Sequence, residues 1–153
     1  MQTMKIGTYE LQVPFVTTGA DNVKIVMSLA EVDPGMKIID LGSGDGRVVL
    51  EFAKRGGIVH GFEIKPELVE RSRKRIADAG LSDQAIIFEK SFWDIDLSQY
   101  DLIYIYGMQS VLGRLEQKLE KEMKPGAKFI SNIFRLPNWR VKKTKETVHL
   151  YIR

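Results

Sequence analysis

Three glycines at alternate positions, with an acid before them and another among them, are the residues best suited to hold a ligand. Asp40 precedes the run G-S-G-D-G at 42–46, which joins an apolar stretch of strand character to a helical pattern over 47–54. Glycines so spaced allow positive φ angles and let a ligand reach bare main chain. A strand, a glycine turn and a helix N-terminus in that order are typical of a nucleotide site. The residues predicted to bind a cofactor here are Asp40, Gly42, Ser43, Gly44, Asp45 and Gly46.

The spacing of the glycines and the two acids bear on which nucleotide is bound. The dinucleotide fingerprint has the form G-x-G-x-x-G, whereas this turn has the form G-x-G-x-G. A pyrophosphate laid on the turn would meet the negative charges of Asp40 and Asp45. S-adenosylmethionine carries a sulfonium and an ammonium group, which the same acids would attract. The turn therefore favours S-adenosylmethionine, with S-adenosylhomocysteine as product, and a dinucleotide is the alternative.

Residues that follow the other predicted strands complete the expected site, because ligands of a parallel sheet lie beyond the carboxyl ends of its strands. The next strand-like stretch ends in Glu63, which can accept hydrogen bonds from the ribose hydroxyls of any adenosine cofactor. Aromatic residues after the third strand could stack on adenine, although core packing is the commoner role for either alone. The cofactor residues expected from these strand ends are Glu63, Ile64, Ser91, Phe92 and Trp93.

Strand and helix patterns alternate along the chain, which predicts an α/β fold. Thr18 or Asp21 can cap a first helix, and further helical patterns lie at 47–55, 66–79 and 109–123. Strand patterns lie at 37–41, 58–64, 85–89, 101–106 and 127–134, with a terminal hairpin at 140–144 and 147–152. We expect a Rossmann-like, doubly wound, mostly parallel seven-stranded sheet with helices on both faces. Its C-terminal antiparallel hairpin should add at least one antiparallel strand at the edge.

Composition narrows the class of protein. The 153 residues, 44% of them hydrophobic, predict a single domain in which 1–32 form an N-terminal arm and helix and 36–153 the core. The absence of cysteine and the presence of only two histidines argue against a metal site. No apolar stretch has membrane-spanning length and no signal peptide is apparent, so we expect a cytoplasmic protein without membrane insertion. The net charge of +3 leaves nucleic acid possible as a partner without indicating it, and oligomeric state stays open.

Four stretches carry a resemblance to a known family: V-P-F-V-T-T at 13–18, D-L-G-S-G-D-G-R at 40–47, F-R-L-P-N-W at 134–139 and T-V-H-L-Y at 147–151. The second is typical of seven-strand S-adenosylmethionine-dependent methyltransferases in general. With the first and third, the chain resembles the small protein-lysine methyltransferases. That family includes an archaeal broad-specificity enzyme and the mitochondrial enzymes that modify the ADP/ATP translocase and the ATP synthase c-subunit.

The resemblance implies protein substrates that bear lysine and a role for each cofactor residue. It implies that Asp40 and the glycine turn receive the methionyl part, Glu63 the ribose, and Ser91 with Phe92 the adenine edge. The family arm reads V-P-Y-V-P-T, and this chain has Phe15 and Thr17 in place of the tyrosine and the second proline. The arm could pack at the edge of the fold or lie over the ligand, and in the second case Phe15 and Thr17 are predicted to contact the cofactor.

Methyl transfer to lysine requires a neutral amine, and desolvation beside a sulfonium lowers the lysine pKa without a dedicated base. Tyr104, Tyr106 and Asn132 could align the amine through a hydroxyl or amide oxygen. Of the two tyrosines we expect only one to face the site, and Tyr106 lies nearer the carboxyl end of its strand. Tyr106 and Asn132 are therefore the predicted catalytic residues.

Two other functions stay open at this point. The same cofactor site could serve an RNA or small-molecule methyltransferase, or a cofactor-binding protein without catalysis. The Asn-Pro-Pro-Tyr motif of enzymes that methylate base amines and planar amides is absent, since Y-G-M-Q stands at 106–109. The segment 140–145 is a possible basic patch, although lysines there also protect an edge strand from aggregation.

Overall fold

The computed structural model describes residues 19–153 in full and, among the first 18 residues, the backbone of 2–6 and 9–13. The four helices of this part of the chain are α1 (Ala20–Ala30), α2 (Arg47–Lys54), α3 (Pro66–Asp78) and α4 (Gln109–Glu122). The strands are β1 (Gln2–Ile6), β2 (Tyr9–Val13), β3 (Lys37–Leu41), β4 (Ile58–Glu63), β5 (Ala85–Glu89), β6 (Leu102–Tyr106), β7 (Lys128–Asn132), β8 (Lys143–Lys145) and β9 (Val148–Ile152). Two short 3₁₀ turns, Phe92–Asp94 and Leu97–Gln99, join β5 to β6.

Seven strands form one sheet in the order β5-β4-β3-β6-β7-β9-β8, which confirms the expected α/β fold. Strands β3 to β7 pair in parallel, and β9 pairs antiparallel with both β7 and β8. The terminal hairpin thus adds one antiparallel strand, which lies one place in from the edge. The strand order reverses at β3, so a crevice opens where the chain leaves β3 and β6.

Helices cover both faces of this sheet. The first face packs α1, α2 and α3 against apolar residues such as Ile38 and Leu102. The second packs α4 and the two 3₁₀ turns against Ile39, Ile103 and Phe129. Alternation along each strand sends neighbouring residues to opposite faces, which explains why Ile38 and Ile39 belong to different clusters. Within the described residues, no helix has the length and apolar character needed to cross a membrane.

Some predicted element boundaries differ from the structure. Helix α1 begins after Gly19 without a side-chain cap, so the cap predicted at Asp21 is wrong, and Thr18 lies outside the described residues. The strand predicted to reach residue 134 ends at Asn132, because Ile133 has a φ of 88° and leaves the pleat. The first hairpin strand, predicted from residue 140, begins at Lys143.

The N-terminal segment contains a feature that the sequence pattern did not predict. Strands β1 and β2 pair antiparallel as a separate two-stranded sheet, with Gln2 opposite Val13 and Ile6 opposite Tyr9. We expected only an N-terminal arm there, because the proline at position 14 and the lack of clear alternation gave no hairpin signal.

Strand β8 starts late because the loop before it is held against α4. A buried acid on that helix makes the contacts. Glu116 is 4% exposed, and its carboxylate accepts hydrogen bonds from the backbone N–H groups of Asn138 (2.8 Å) and Trp139 (3.1 Å). The Asn138 side-chain amide donates a third bond, of 2.8 Å, to the same carboxylate. The hydroxyl of Tyr151 accepts a bond of 2.9 Å from the N–H of Leu136. The F-R-L-P-N-W stretch is thereby held in a fixed conformation on the second face.

We predict that Glu116→Ala lowers the free energy of unfolding by about 2–4 kcal/mol, because two backbone donors lose a charged acceptor. Glu120→Ala is the control, since the exposed Glu120 accepts only a 3.3 Å bond from the Trp139 indole, and we expect a change within about 0.5 kcal/mol. Urea denaturation followed by circular dichroism measures both. Equal losses in the two variants would contradict this account of the loop.

Candidate functional site

The glycine turn after β3 has the conformation that its sequence predicts. Gly42, Gly44 and Gly46 have φ angles of 75°, 56° and 80°. A Cβ atom on Gly46 would lie 2.5 Å from the Cβ of Ser72 on α3, so that position has neither the φ angle nor the space for a side chain. The carbonyl of Phe62 accepts hydrogen bonds from the N–H groups of Gly42 (2.9 Å) and Ser43 (3.0 Å). The turn is therefore fixed against β4 and α3.

Glu63, at the end of β4, attaches its own strand to this turn. Its Oε1 accepts a 3.0 Å bond from the N–H of Gly44, and its Oε2 accepts bonds of 2.8 and 3.0 Å from the N–H groups of Ile64 and Lys65. A carboxylate offers about four acceptor positions. These three bonds leave one position on Oε1, so Glu63 can stabilise the turn and still accept one bond from a ligand hydroxyl. Ile64 lies half-buried next to it.

Asp40, the last acid before the turn, is buried with 2% of its surface exposed. None of the described residues donates a hydrogen bond to its carboxyl group. Burial raises the pKa of Asp40 to about 8, and the negative charges of Glu63 and Asp45 add to the rise. The side chain thus lacks a positive partner within the described residues, which is costly for a carboxylate and favours a cationic ligand.

Asp45 has a different environment, although it lies in the same turn. Burial alone would raise the pKa of Asp45, but hydrogen bonds and charge from Arg47, with the charge of Arg75, lower it. Its carboxylate lies 2.8 Å from the Arg47 guanidinium and 3.6 Å from that of Arg75. The chain itself therefore compensates the charge of Asp45. The attraction for a cation therefore rests on Asp40, and not on Asp40 and Asp45 together as the sequence suggested.

The residues after β5 lie on the second face of the sheet. Ser91 accepts a 3.3 Å bond from the N–H of Trp93 and so begins a 3₁₀ turn. Phe92 is buried in the core of that face, with its ring centroid 4.7 Å from that of Trp93. The guanidinium of Arg114 lies 4.1 Å from the centroid of the Trp93 ring. Phe92 thus packs as a core residue, and one face of Trp93 is occupied by a cation.

The predicted catalytic residues meet at the ends of β6 and β7. Tyr104 and Tyr106 both pack toward the first face, so the expectation that only one of them faces a given side is wrong. Residues two apart on a strand share a face. Tyr106 is half-buried at the strand end, whereas Tyr104 is buried in the core. Tyr106 is therefore the more accessible hydroxyl.

Asn132 is fully buried at the centre of a polar network. Its amide nitrogen donates to Asn22 Oδ1 and to the Tyr104 hydroxyl, the latter at 3.2 Å. Its amide oxygen accepts a 2.9 Å bond from the Thr147 hydroxyl, which in turn accepts a 3.1 Å bond from the Asn22 amide. Both amide protons of Asn132 have partners and its oxygen accepts one bond, so this buried residue can position the groups around it. Its direct contact with the amine stays a prediction.

The structure brings together two residues that sequence reasoning did not single out. Asn22 on α1 and Thr147 before β9 lie 125 positions apart and bond to each other beside Asn132. Thr147 belongs to a stretch that carries the family resemblance, but nothing in its spacing indicated a partner on α1. The predicted contacts of Phe15 and Thr17 lie outside the described residues.

The residues present fit the cofactor expected from the sequence. Asp40 is a buried acid without a described partner, and Glu63 has one free acceptor position. The Ser43 hydroxyl, in the middle of the turn, is buried and has no hydrogen-bond partner among the described residues. An acid that lacks a cation and a hydroxyl that lacks a partner suit a ligand with an ammonium group and hydroxyls.

Comparison with known proteins agrees with this geometry. A family model described as the ANTKMT methyltransferase domain matches residues 40–143. The lysine N-methyltransferase of Homo sapiens that is named for the ATP synthase c-subunit is 34% identical over 126 residues, which are 82% of this chain and 54% of that protein. This chain thus spans about half the length of that relative. A protein-lysine N-methyltransferase of Saccharolobus islandicus is 30% identical over 155 residues, which are 95% of this chain and 96% of that protein.

A solved structure is also similar to this chain over most of its length. The RNA methyltransferase of Salinibacter ruber in complex with S-adenosyl-L-homocysteine superposes with a TM-score of 0.82 at 30% sequence identity. The match covers 89% of this chain and 91% of that one. The family match extends over more than half of the chain and contains the glycine turn, Glu63 and the ends of β6 and β7. The chain therefore belongs to the family described by the ANTKMT methyltransferase domain.

Proposed function

We propose that this protein is an S-adenosylmethionine-dependent methyltransferase whose acceptors are lysine ε-amino groups of proteins. The observation that carries the proposal is the buried Asp40 beside a rigid glycine turn, with no positive partner among the described residues. Family membership supports the reaction, and the names of the human and archaeal relatives support lysine as the acceptor.

Each end of the cofactor has a group on this chain to hold it. Asp40 would face the positive charge of the methionyl part, and the Ser43 hydroxyl offers a further hydrogen bond. The free acceptor position of Glu63 suits a ribose hydroxyl, and Ile64 and Ser91 lie at the strand ends where adenine is expected. When bound, S-adenosylmethionine supplies a methyl group that its sulfonium has already activated for in-line displacement. The contacts of Phe92, Trp93, Phe15 and Thr17 with it stay predictions.

The chain's part in the transfer is to present a neutral amine. Neutralising a lysine at pH 7 costs about 4–5 kcal/mol, which an apolar channel and a nearby positive charge reduce. Burial raises the pKa of Tyr106, so this phenol stays protonated at neutral pH and can accept a hydrogen bond from the amine without removing its proton. Asn132 would act as a positioning residue that fixes the end of β7 against α1.

A second acceptor class has one specific observation in its favour. The Salinibacter ruber protein, which covers nearly the same length, is named as an RNA methyltransferase. This proposal ranks lower, because the human and archaeal relatives, which match 82% and 95% of this chain, are named for lysine. We also keep the predictions of a single domain over 1–153 and of a cytoplasmic location.

We predict that the purified protein, given methyl-labelled S-adenosylmethionine and a proteome extract, labels lysine ε-amino groups. Mass spectrometry of the digested extract locates the label. Asp40→Asn is the control, because a neutral amide cannot compensate a cationic ligand, and we expect at least a tenfold loss of cofactor affinity by calorimetry. Label on RNA or on metabolites alone would contradict the lysine acceptor while keeping the reaction class. Cofactor binding without any labelled product would contradict the enzymatic function.

We predict that Tyr106→Phe lowers kcat about tenfold and leaves cofactor affinity unchanged, because only the hydrogen bond that aligns the amine is lost. Tyr100→Phe is the matched control. It removes a phenol that bonds at 2.8 Å to His60 on the second face, away from Tyr106. Steady-state kinetics with a lysine peptide compares the two. An unchanged kcat for Tyr106→Phe would remove this tyrosine from the mechanism.

A further inference from the structure

Positive charge is concentrated in one part of this chain. The stretch 135–146, called here the basic segment, contains five cations and one anion and so has a net charge of +4. The whole chain has a net charge of +3, so the rest of the protein is slightly negative. All five cations are exposed, and no described residue forms an ion pair with any of them; they are Arg135, Arg140, Lys142, Lys143 and Lys145.

Strand register places part of this charge on the same face of the sheet as the site. Tyr106 pairs with Asn132, Asn132 with Val148, and Val148 with Lys145. Directly paired residues of neighbouring strands project to the same face. A second row of paired residues, two positions earlier on β6, runs from Asp40 through one residue each of β6, β7 and β9 to Lys143. Lys143 and Lys145 therefore lie at the edge of the sheet, on the face that carries Asp40 and Tyr106.

The hairpin side chains alternate as this register requires. Thr144, between the two lysines, projects to the opposite face, where its hydroxyl lies 2.9 Å from Nδ1 of His149. The turn that connects β8 to β9 lies beside Asn132, because Ile133 donates a 2.7 Å bond to the carbonyl of Thr147. Lys145 is thus the cation of β8 nearest to the strand ends that form the site.

The register also gives an approximate distance from Tyr106 to this charge. Three inter-strand steps of about 4.8 Å separate Tyr106 from Lys145, a span of about 14 Å. An extended peptide advances about 3.4 Å per residue, so it crosses that span in about four residues. A peptide that places its lysine at Tyr106 would bring side chains four or five positions away close to the basic segment.

We propose that the basic segment binds acidic residues of the protein substrate that lie about four or five positions from the acceptor lysine. This inference rests on the proposed function and specifies the class of substrate for that site. Acidic side chains of such a peptide would pair with the exposed lysines of β8, which is the edge strand of the sheet. The lysines otherwise discourage uncharged strands from pairing with this edge.

An acidic protein segment fits this surface better than a nucleic acid. Single-stranded nucleic acids bind through exposed aromatic rings on which the bases stack. Trp139 within the basic segment and Phe134 just before it are half-buried and packed against the core. Trp139 also has the Arg153 guanidinium 5.3 Å from its ring centroid and a bond from its indole to Glu120. The surface therefore offers charge without a free stacking platform.

Three fluorescent peptides with one central lysine test the proposal by anisotropy, which does not depend on catalysis. The first has glutamates at the fourth and fifth positions on both sides, the second has glutamines there, and the third has the glutamates next to the lysine. We expect the first to bind about tenfold more tightly than the second at about 50 mM salt, and more tightly than the third. At about 500 mM salt the difference should fall to less than about twofold.

Two matched variants separate the effect of the basic segment from the effect of the protein's net charge. Replacing Lys142, Lys143 and Lys145 by alanine should abolish the preference and leave S-adenosylmethionine affinity unchanged. Replacing Arg71, Lys74 and Lys121 by alanine makes the same change in charge at three exposed positions of α3 and α4. This variant should keep the preference for the first peptide. Equal binding of all three peptides, or equal effects of the two variants, would overturn the proposal. A 12-nucleotide uridine RNA that binds more tightly than the first peptide at about 150 mM salt would overturn it in favour of nucleic acid.

Methylation of the same peptides distinguishes this inference from the proposed function. If the first peptide binds through the three lysines but receives no methyl group, the lysine methyltransferase function fails and an acid-binding surface stands. If the peptides are methylated with equal kcat/KM, the function stands and the docking inference fails. A lower KM for the first peptide, with kcat unchanged, is the result that supports both.

Discussion

The buried carboxyl of Asp40 is the constraint on which this site depends. Three acids surround the glycine turn, and the described chain compensates two of them. Two arginines lie beside Asp45, and Glu63 accepts three backbone N–H groups. Asp40 has neither kind of partner, so its pKa rises to about 8, chiefly through burial, whereas an unfolded aspartate titrates near 3.9. Folding thus takes up a proton on Asp40, and the stability present below about pH 4 is progressively lost toward pH 8. A ligand cation would offset that loss, so the residue proposed to bind the cofactor also destabilises the free protein as the pH rises.

The sheet transmits this constraint to the rest of the site. Parallel pairing of β3 with β6 and of β6 with β7 brings Asp40, Tyr106 and Asn132 to one face and to one edge. The hairpin continues the same rows outward, which is why a basic strand at the sheet edge lies in register with the proposed catalytic tyrosine. Asn132 then connects α1, β6 and the start of β9 through hydrogen bonds at a buried position where each unsatisfied group would be costly. A single set of strand pairings thereby places residues proposed to bind cofactor, amine and substrate flanks.

Sequence patterns predicted the local features well because each is encoded within a few residues. The positive φ angles of the glycine turn, the strand that ends at Glu63 and the helix that begins at Pro66 are of this kind. The long-range polar contacts had no such signal, because Asn22 and Asn132 lie 110 positions apart and neither belongs to a periodic pattern. The same reason explains why Glu116 and its loop were not predicted, and why the pairing of Asp45 with Arg75 was missed. A carboxylate in a glycine turn suggests a ligand from sequence alone, and only the fold shows which carboxylate already has a partner.

Direct titration of the Asp40 carboxyl by carbon-13 NMR tests the central claim most directly, with Asp40→Asn to assign the resonance. We predict a midpoint near pH 8 in the free protein, since burial disfavours the charged form. Saturation with S-adenosylhomocysteine, which keeps the ammonium group, should lower the midpoint by more than about one pH unit, so that binding at pH 7 releases a proton. An Asp40 that is already ionised at pH 6 without ligand, or a midpoint that ligand does not move, would contradict the account.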